Sequence, residues 1–207
     1  MDPMTVFKYI VTITLGYIFG SVSFSVMISE IFHKVDIRKR GSGNAGATNM
    51  ARSFGLGAGL GTMLGDMAKT ALALLGGYFI LGTPGMCIAG AFCVVGHCWP
   101  VFYEFKGGKG ISAGAIIALF ISWKLLAVIA AVFLLGAFIS KKVSLGSLLA
   151  ALTMSIAVFF ITDTMSFRIL AVFTSVVVLY RHIPNIRRLI RGEEPDFKLP
   201  RKKKRAK

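Results

Sequence analysis

The sequence predicts an all-α polytopic membrane protein with about seven transmembrane helices. Apolar residues occur in long runs, and charged residues make up only 16% of the chain, whereas soluble domains average about 25%. A mean hydropathy of +0.72 agrees with this class. Runs of this length are typical of helices that cross a bilayer. We expect one membrane domain over 1–195 and a basic cytoplasmic tail over 196–207.

Seven apolar runs account for the predicted spans. The first is too long for a signal peptide and lacks the basic start of one. A Gly-Thr-Pro-Gly turn at 82–85 separates the second run from the third. The fourth is short enough to be a re-entrant segment. The runs are 4–31, 56–81, 86–99, 111–122, 125–139, 143–162 and 167–180.

Lysine and arginine fall mainly on one side of this topology. The formal charge is +15, and the basic residues concentrate in 32–53, in the loop after 96, at 141–142 and in the tail. The positive-inside rule places this side in the cytoplasm and the N-terminus outside. A re-entrant fourth run would separate these basic segments, so we prefer seven spans. The tail is expected to contact anionic lipid.

Several classes of partner are excluded. Nucleic acid is not expected, because no nucleic-acid motif accompanies the basic residues. His97-Cys98 lacks a partner pair at metal-ligand spacing, so neither a metal nor another cofactor is expected. The cysteines lie in or beside one predicted helix and are interpreted as core thiols. They are Cys87, Cys93 and Cys98.

The first polar segment, 41–52, is rich in glycine and in small polar side chains. Its hydroxyl, amide and backbone N–H groups suit an oxyanion or a phosphate. A connector whose polar residues cap the next helix is the alternative interpretation. Ser42 is also a candidate nucleophile, although no base stands beside it in sequence. The candidate site residues are Ser42, Asn44, Gly46, Thr48, Asn49 and Arg52.

The second polar segment, 96–110, combines lysine and glycine with aromatic residues. It does not match a Walker A loop, because Tyr103 stands at the first glycine position and Gly110 follows the lysine. Glycines allow backbone N–H groups to close around an anion, and lysines add charge. An interfacial loop with an aromatic belt is the alternative. The candidate anion-binding residues are Lys106, Gly107, Gly108, Lys109 and Gly110.

The third polar segment follows the last span and contains His182 and Asn185. These residues are three apart, so on a helical turn they share a face. Histidine exchanges protons near neutral pH, and asparagine can orient a substrate. An interfacial polar pair that ends the last span is the alternative interpretation. All three polar segments are predicted to share the cytoplasmic side.

Together these segments resemble the bacterial acyl-phosphate:glycerol-3-phosphate acyltransferase family. The resemblance rests on Gly-Ser-Gly-Asn-x-Gly-x-Thr-Asn at 41–49 and on Gly-His-x-x-Pro-Val-Phe-x-x-Phe-Lys-Gly-Gly-Lys-Gly at 96–110. It includes Arg-His-x-x-Asn-Ile at 181–186. A weaker piece at 144–147 adds Ser147 to the substrate-binding candidates. This chain departs from the family at Lys69-Thr70, where the family often has Lys-Gly. The departure affects only the expected packing of this helix.

The resemblance implies a seven-span enzyme of the first step of phospholipid synthesis. Such an enzyme transfers a fatty acyl group from acyl phosphate to the 1-hydroxyl of glycerol 3-phosphate, giving lysophosphatidic acid and phosphate. It would work as a monomer in contact with membrane lipid. The resemblance assigns glycerol 3-phosphate binding to the glycines and lysine at 107–110 and a structural role to Glu194. The implied catalytic residues are Ser42, Arg52, His182 and Asn185.

The chemistry of these residues agrees with direct transfer. Acyl phosphate is already activated, so positioning and charge stabilisation suffice and no acyl-enzyme is required. We expect His182 or the departing phosphate oxygen to take the proton. Lys109, Arg52 and backbone N–H groups would stabilise the phosphate charge. No His-x4-Asp sequence occurs, which excludes the acyltransferase mechanism that depends on it.

Two other functions remain open at this stage. Asp66 and Lys69 lie within a predicted span, where charged groups are costly and are usually functional or paired. Such residues, together with short spans, favour an organic-anion transporter or channel. For this pair we prefer mutual neutralisation, and the clustering of polar motifs on one side favours the enzyme. A structural membrane subunit is the third alternative.

Overall fold

The protein is a bundle of helices joined by short turns and by two longer loops, 34–46 and 99–110, and its computed structural model describes residues 2–199. No strand occurs in that range, which confirms the all-α prediction. Residues 200–207, most of the predicted basic tail, lie outside the described residues, and the division at 195 stays a prediction. The helices are α1 Pro3–Ser21, α2 Phe24–His33, α3 Ala47–Phe54, α4 Leu56–Cys98, α5 Ile111–Ile121, α6 Trp123–Ser140, α7 Val143–Ile161, α8 Met165–Arg181 and α9 Ile183–Ile190.

Four helical segments of the described chain are long and apolar enough to cross a membrane. A fifth is added if α8 and α9, which meet at 55°, form one span. Large apolar side chains on the outer surface, such as Phe138 and Phe160, are 85% and 86% exposed. Exposed apolar surface of this extent is typical of contact with lipid. The four segments are Pro3–His33, Leu56–Tyr103, Trp123–Ser140 and Val143–Ile161.

The helix boundaries differ from the sequence prediction at one place and agree with it at another. The first predicted span, 4–31, is not continuous, because the chain leaves the helix at Val22 and Ser23 between α1 and α2. The second and third predicted spans are the two halves of α4, which are separated where the backbone leaves helical geometry at Leu81 and at Gly82, with a φ of 64° at Gly82. The positive φ favours glycine and lies at the start of the predicted turn.

The two halves of α4 fold back on each other and form the centre of the bundle. The Cys93 thiol lies 3.6 Å from the Thr70 hydroxyl, and Leu74 packs against Gly90. The helix α1 approaches the second half closely, with Gly20 against the backbone of Cys93. Small residues allow such close approach between helices in lipid. The helices α5 and α8 cover the other side of this hairpin, and α6 pairs with α7.

A buried ion pair joins α4 to the break between α1 and α2. Lys69 Nζ lies 3.0 Å from Asp66 Oδ1, which confirms the predicted mutual neutralisation. Lys69 also donates hydrogen bonds to the carbonyl oxygens of Gly20, at 2.8 Å, and of Val22. Carbonyls at the end of a helix lack helical partners and attract cations. The pair therefore also stabilises the break that the sequence prediction missed.

Candidate functional site

The three predicted polar segments meet at one cavity of about 380 Å³, here called the polar cavity. Its wall is built from the segment 42–52, the lysine before α5, the start of α7 and the junction of α8 with α9. The prediction that these segments lie together is therefore supported by the geometry. The predicted site residues that line it are Ser42, Asn44, Gly46, Thr48, Asn49, Arg52, Lys109, Ser147, His182, Asn185 and Glu194.

The other predicted site residues lie around this cavity. Lys106 and Gly107 line a neighbouring basin. Gly110 lines an apolar groove, and Gly108 packs against the ring of His97. Only Lys109 of the segment 106–110 lines the polar cavity itself. These four neighbours shape the surroundings of Lys109.

Three helix N-termini converge on the polar cavity. The helices α3, α5 and α7 begin there, and none has a side chain that caps its first N–H groups. The N-terminus of a helix carries partial positive charge and unpaired N–H donors, which together favour an anion. First-turn residues that line the cavity are Ala47, Thr48, Ile111, Ser112, Val143 and Ser144.

The first glycine loop, residues 41–46, is held by the buried side chain of Asn49. Its Oδ1 accepts from the N–H of Ser42 at 3.0 Å, and its Nδ2 donates to the carbonyls of Arg40 and Asn44, each at 3.0 Å. These bonds use both ends of the amide within the loop. We therefore assign Asn49 to positioning this loop, while the N-terminus of α3 supplies the N–H groups that face the cavity.

The second glycine loop, residues 106–110, is built differently. Gly107 and Gly108 donate their N–H groups to the carbonyls of Cys98 and His97, at 3.3 and 3.0 Å. The sequence predicted that these N–H groups would surround an anion. Since both are bound to carbonyl oxygens of the protein, they are not free to do so. His97 Nε2 lies so close to Gly108 that a Cβ would not fit, which explains the glycine. The loop serves to aim Lys109 and to start α5.

Arg181 holds the same loop from the other side and was not among the predicted site residues. Its Nε and Nη2 donate to the carbonyl oxygens of Gly108 and Gly107, both at 3.1 Å. Its guanidinium also lies over the Trp99 ring, 5.3 Å from the centroid. A planar fork of donors suits two neighbouring carbonyls, and a lysine would not reproduce it. Its position directly before His182 in the third motif was the available signal.

A chain of polar contacts connects Lys109 to the start of the tail. Lys109 Nζ donates to Asn185 Oδ1 at 2.6 Å, and Asn185 Nδ2 donates to Glu194 Oε1 at 2.7 Å. Glu194 Oε2 also accepts from Arg188 Nε at 2.7 Å. Because lysine only donates and the carboxylate only accepts, the orientation of the Asn185 amide is fixed. Asn185 thus holds the cation and Glu194 holds Asn185.

Burial tunes the protonation of these groups. It lowers the pKa of Lys109 to about 8, and nearby arginines act in the same direction. Lys109 is therefore mostly charged at neutral pH, but it loses that charge more easily than an exposed lysine. Burial alone would raise the pKa of Glu194, but hydrogen bonds that include those from Asn185 and Arg188 lower it below its ordinary value. Glu194 therefore stays ionised.

His182 lies at the junction of α8 and α9 and is 2% exposed. Burial, followed by the charge of Lys109, lowers the pKa of His182 to about 4. The ring is therefore neutral at physiological pH. Its Nδ1 lies 2.8 Å from the carbonyl oxygen of Val178 and so donates to it. This leaves Nε2 as a hydrogen-bond acceptor.

Arg52 and Ser42 complete the polar wall. The buried Nε of Arg52 has no hydrogen-bond partner among the described residues, while Nη2 donates to the Pro195 carbonyl at 3.2 Å. A buried donor without a partner is costly, and an anion would supply one. Ser42 is exposed, and no histidine or carboxylate in residues 2–199 hydrogen-bonds its hydroxyl. That arrangement disfavours Ser42 as an activated nucleophile.

An apolar groove of about 230 Å³ adjoins the polar cavity. The two share lining residues, so the polar wall passes directly into an apolar one. This groove could not be predicted from the sequence, because its residues come from five different helices, α4, α5, α6, α7 and α8. Ser147 stands at the junction and donates its hydroxyl to the Val143 carbonyl at 3.0 Å. The shared residues are Met63, Ile111, Ser112, Phe133 and Ser147.

A family model described as glycerol-3-phosphate acyltransferase matches residues 10–192. Relatives with the same description are similar over nearly the whole chain. One from Finegoldia magna is 37% identical over 191 residues, which are 90% of this chain and 96% of the relative. One from Bacillus subtilis is 36% identical over 186 residues, covering 90% and 96%. One from Shouchella clausii is 41% identical over 197 residues, covering 89% and 94%.

Two solved structures share the fold. One is a crystal structure of PlsY (YgiH), an integral membrane glycerol 3-phosphate acyltransferase, in its glycerol 3-phosphate form. It has a TM-score of 0.86 and 29% identity, and the match covers 92% of this chain and 96% of that one. The lysophosphatidic acid form has a TM-score of 0.82 and 30% identity, covering 92% and 95%. These matches do not favour the transporter alternative.

Proposed function

The chain belongs to the glycerol-3-phosphate acyltransferase family, and we propose that it transfers a fatty acyl group from acyl phosphate to the 1-hydroxyl of glycerol 3-phosphate. The products are lysophosphatidic acid and inorganic phosphate. The observation that carries this proposal is the polar cavity with its cationic wall, which continues into an apolar groove. A polar cavity that continues into an apolar groove fits a substrate with a phosphate head and an acyl chain, such as acyl phosphate.

Acyl phosphate lies with its chain in the apolar groove and its phosphate in the polar cavity. Lys109, Arg52 and the N-termini of α3 and α5 stabilise the phosphate charge. Glycerol 3-phosphate occupies the part of the cavity near His182 and Arg188, with its 1-hydroxyl toward the acyl carbonyl. Two phosphate dianions need positive charge around them. Arg52, Lys109 and the helix N-termini supply it, while Arg188 is paired with Glu194.

The proton passes to the departing phosphate rather than to His182. A histidine whose pKa is about 4 is a weak base, whereas the departing phosphate gains negative charge on its oxygens as its bond to the acyl carbon breaks and so becomes the stronger base. His182 Nε2 accepts a hydrogen bond from the neighbouring 2-hydroxyl of glycerol 3-phosphate, which orients the acceptor and leaves the proton of the 1-hydroxyl free to pass to the phosphate. The hydroxyl oxygen attacks the acyl carbon, the bond from that carbon to the phosphate oxygen breaks, and the leaving phosphate carries the proton away. No acyl-enzyme forms.

The proposed topology has seven crossings with the polar cavity on the cytoplasmic face of a bacterial cytoplasmic membrane. The crossings are α1 with α2, the two halves of α4, and α5, α6, α7 and α8. Three features support it: the fold-back at Gly82, the predicted charge asymmetry and the location of the site in basic segments. We propose that the enzyme works as a monomer in contact with membrane lipid.

The direct test is an assay of the purified full-length protein with acyl phosphate and labelled glycerol 3-phosphate. We expect lysophosphatidic acid and phosphate in equal amounts, and little product when acyl-CoA replaces acyl phosphate. Lys109→Met provides the matched control for contaminating activity, because it removes one cation from the polar cavity. Absence of product, or equal product from acyl-CoA, would overturn the proposal.

A further inference from the structure

A second cavity, here called the basic basin, lies beside the polar cavity and measures about 640 Å³. Its outer wall includes exposed residues, such as Lys106, whose side chain is 70% exposed. The basin therefore meets solvent. It adjoins the polar cavity through common lining residues, so a solute in the basin is one step from the site. The common residues are Ser42, Asn44, Lys109, Asn185 and Arg188.

The lining of the basin contains cations but no carboxylate within the described part of the chain. Three of the cations are neutralised by carboxylates that stand outside the lining. Arg38 pairs with Asp36 at 2.8 Å, Lys106 pairs with Glu104 at 2.9 Å, and Arg188 pairs with Glu194 at 2.7 Å. The cationic lining residues are Arg38, Lys106, Lys109, Arg181, Arg187 and Arg188.

The remaining charge of the basin comes from Arg181, Arg187 and Lys109. Arg181 binds two backbone carbonyls and so retains N–H donors and its full charge. Arg187 is exposed on α9 and forms no ion pair with any residue in 2–199. Neither arginine lines the polar cavity. The basin thus carries about the charge of two to three cations, which is enough to attract a small dianion.

We propose that the basic basin is a second phosphate site that holds glycerol 3-phosphate before it moves into the polar cavity. This inference rests on the proposed function, because it assumes that glycerol 3-phosphate is the substrate. The chemistry that the basin recognises is a phosphate monoester dianion. Inorganic phosphate and an anionic lipid headgroup share that chemistry, and the experiment separates them. The basin raises the local concentration of the acceptor and thus its rate of binding.

Arg187→Ala tests the basin with Arg191→Ala as its matched control. Both arginines are exposed, but Arg191 lines neither the basin nor the polar cavity. In discs of zwitterionic lipid, at an ionic strength of about 0.01 M, where screening is weak, Arg187→Ala should lower kcat/KM for glycerol 3-phosphate about threefold. The kcat of Arg187→Ala should equal that of the native enzyme. Arg191→Ala should have the native kcat/KM as well as the native kcat. The difference should shrink at about 0.1 M salt.

Three outcomes would overturn this inference. The first is an unchanged kcat/KM for glycerol 3-phosphate in Arg187→Ala at low salt. The second is an effect that occurs only after anionic lipid is added to the discs, which would assign the basin to a headgroup. The third is altered inhibition by added inorganic phosphate with an unchanged kcat/KM, which would assign it to the product. A native enzyme that makes no lysophosphatidic acid would instead contradict the proposed function.

Discussion

The two glycine loops of the site look alike in sequence and do different work in the structure. In the first loop, residues 41–46, one side chain, Asn49, binds the backbone from inside. In the second loop, residues 106–110, the carbonyl oxygens of His97 and Cys98 accept hydrogen bonds from the glycine N–H groups. Arg181 donates hydrogen bonds to the glycine carbonyl oxygens. The first loop therefore positions the N-terminus of α3 at the polar cavity, and the second loop positions the ammonium group of Lys109 there.

The difference shows that a glycine-rich loop does not by itself bind an anion through its glycines. The N–H groups of Gly43 and Gly46 in the first loop and of Gly107 and Gly108 in the second are bound within the protein. The helices that follow, α3 and α5, each begin with N–H groups that no side chain caps. Glycine is needed where chain segments approach closely, as at Gly108 against His97. The anion site is then a product of helix N-termini and of a few cations held in place.

The largest effect is expected for Lys109→Met. Removal of the one cation that the second loop presents to the polar cavity should lower kcat/KM for acyl transfer by about 10²- to 10³-fold. Lys109→Arg should retain part of the activity, because it keeps the charge. Lys39→Met is the matched control, since this exposed lysine lines neither the polar cavity nor the basic basin. A near-native rate for Lys109→Met would remove the central role given to this loop.

Asn49→Ala should show what the first loop contributes. Loss of the amide leaves the N–H of Ser42 without its partner and removes one of the two hydrogen bonds to each of the carbonyls of Arg40 and Asn44, which should cost about 1 to 3 kcal/mol of unfolding free energy. The displaced loop should also reduce kcat/KM by roughly 10²-fold. Thermal unfolding and steady-state kinetics measure the two effects. Asn49→Asp, which keeps the acceptor for Ser42, should fall between the alanine variant and the native enzyme.

Arg181→Lys should have a smaller effect of about tenfold on kcat/KM. The lysine keeps the charge but cannot bind two carbonyls in a fork, while the N–H groups of Gly107 and Gly108 still hold the loop. The lower activity should result from a less precise position of Lys109, and it should therefore appear in kcat/KM for glycerol 3-phosphate. A loss as large as that of Lys109→Met would mean that Arg181 itself contacts a substrate.

The helices and the three motif segments could be predicted from sequence because hydropathy and motif spacing are local properties. The clustering of 41–52, 106–110 and 181–194 followed from placing them on one side of the bundle. The break between α1 and α2 could not be predicted in this way. It depends on Lys69, which binds the carbonyl of Gly20 from 49 positions away. The same holds for Arg181, which binds Gly108 across 73 positions.

The smallest effect is expected from pH. The pKa of Lys109 is lowered to about 8, so its charge is present below pH 8 and is lost as the pH rises through that value. From pH 8 to 9, kcat/KM for glycerol 3-phosphate should fall severalfold, because this parameter reports the free enzyme. The corresponding fall in kcat should lie at higher pH, since bound phosphate stabilises the charged lysine. In Lys109→Arg this fall in kcat/KM between pH 8 and 9 should be absent. The same fall in the variant would contradict its assignment to Lys109.

The central claim is that both loops serve one cavity, in which the acyl group passes directly between two bound substrates. Rapid mixing of the enzyme with acyl phosphate labelled in its acyl group, in the absence of glycerol 3-phosphate, tests this claim most directly. We predict no labelled protein and no burst of phosphate, with lysophosphatidic acid appearing only after the acceptor is added. Stoichiometric acyl-protein with a matching phosphate burst, lost in Ser42→Ala, would contradict the account.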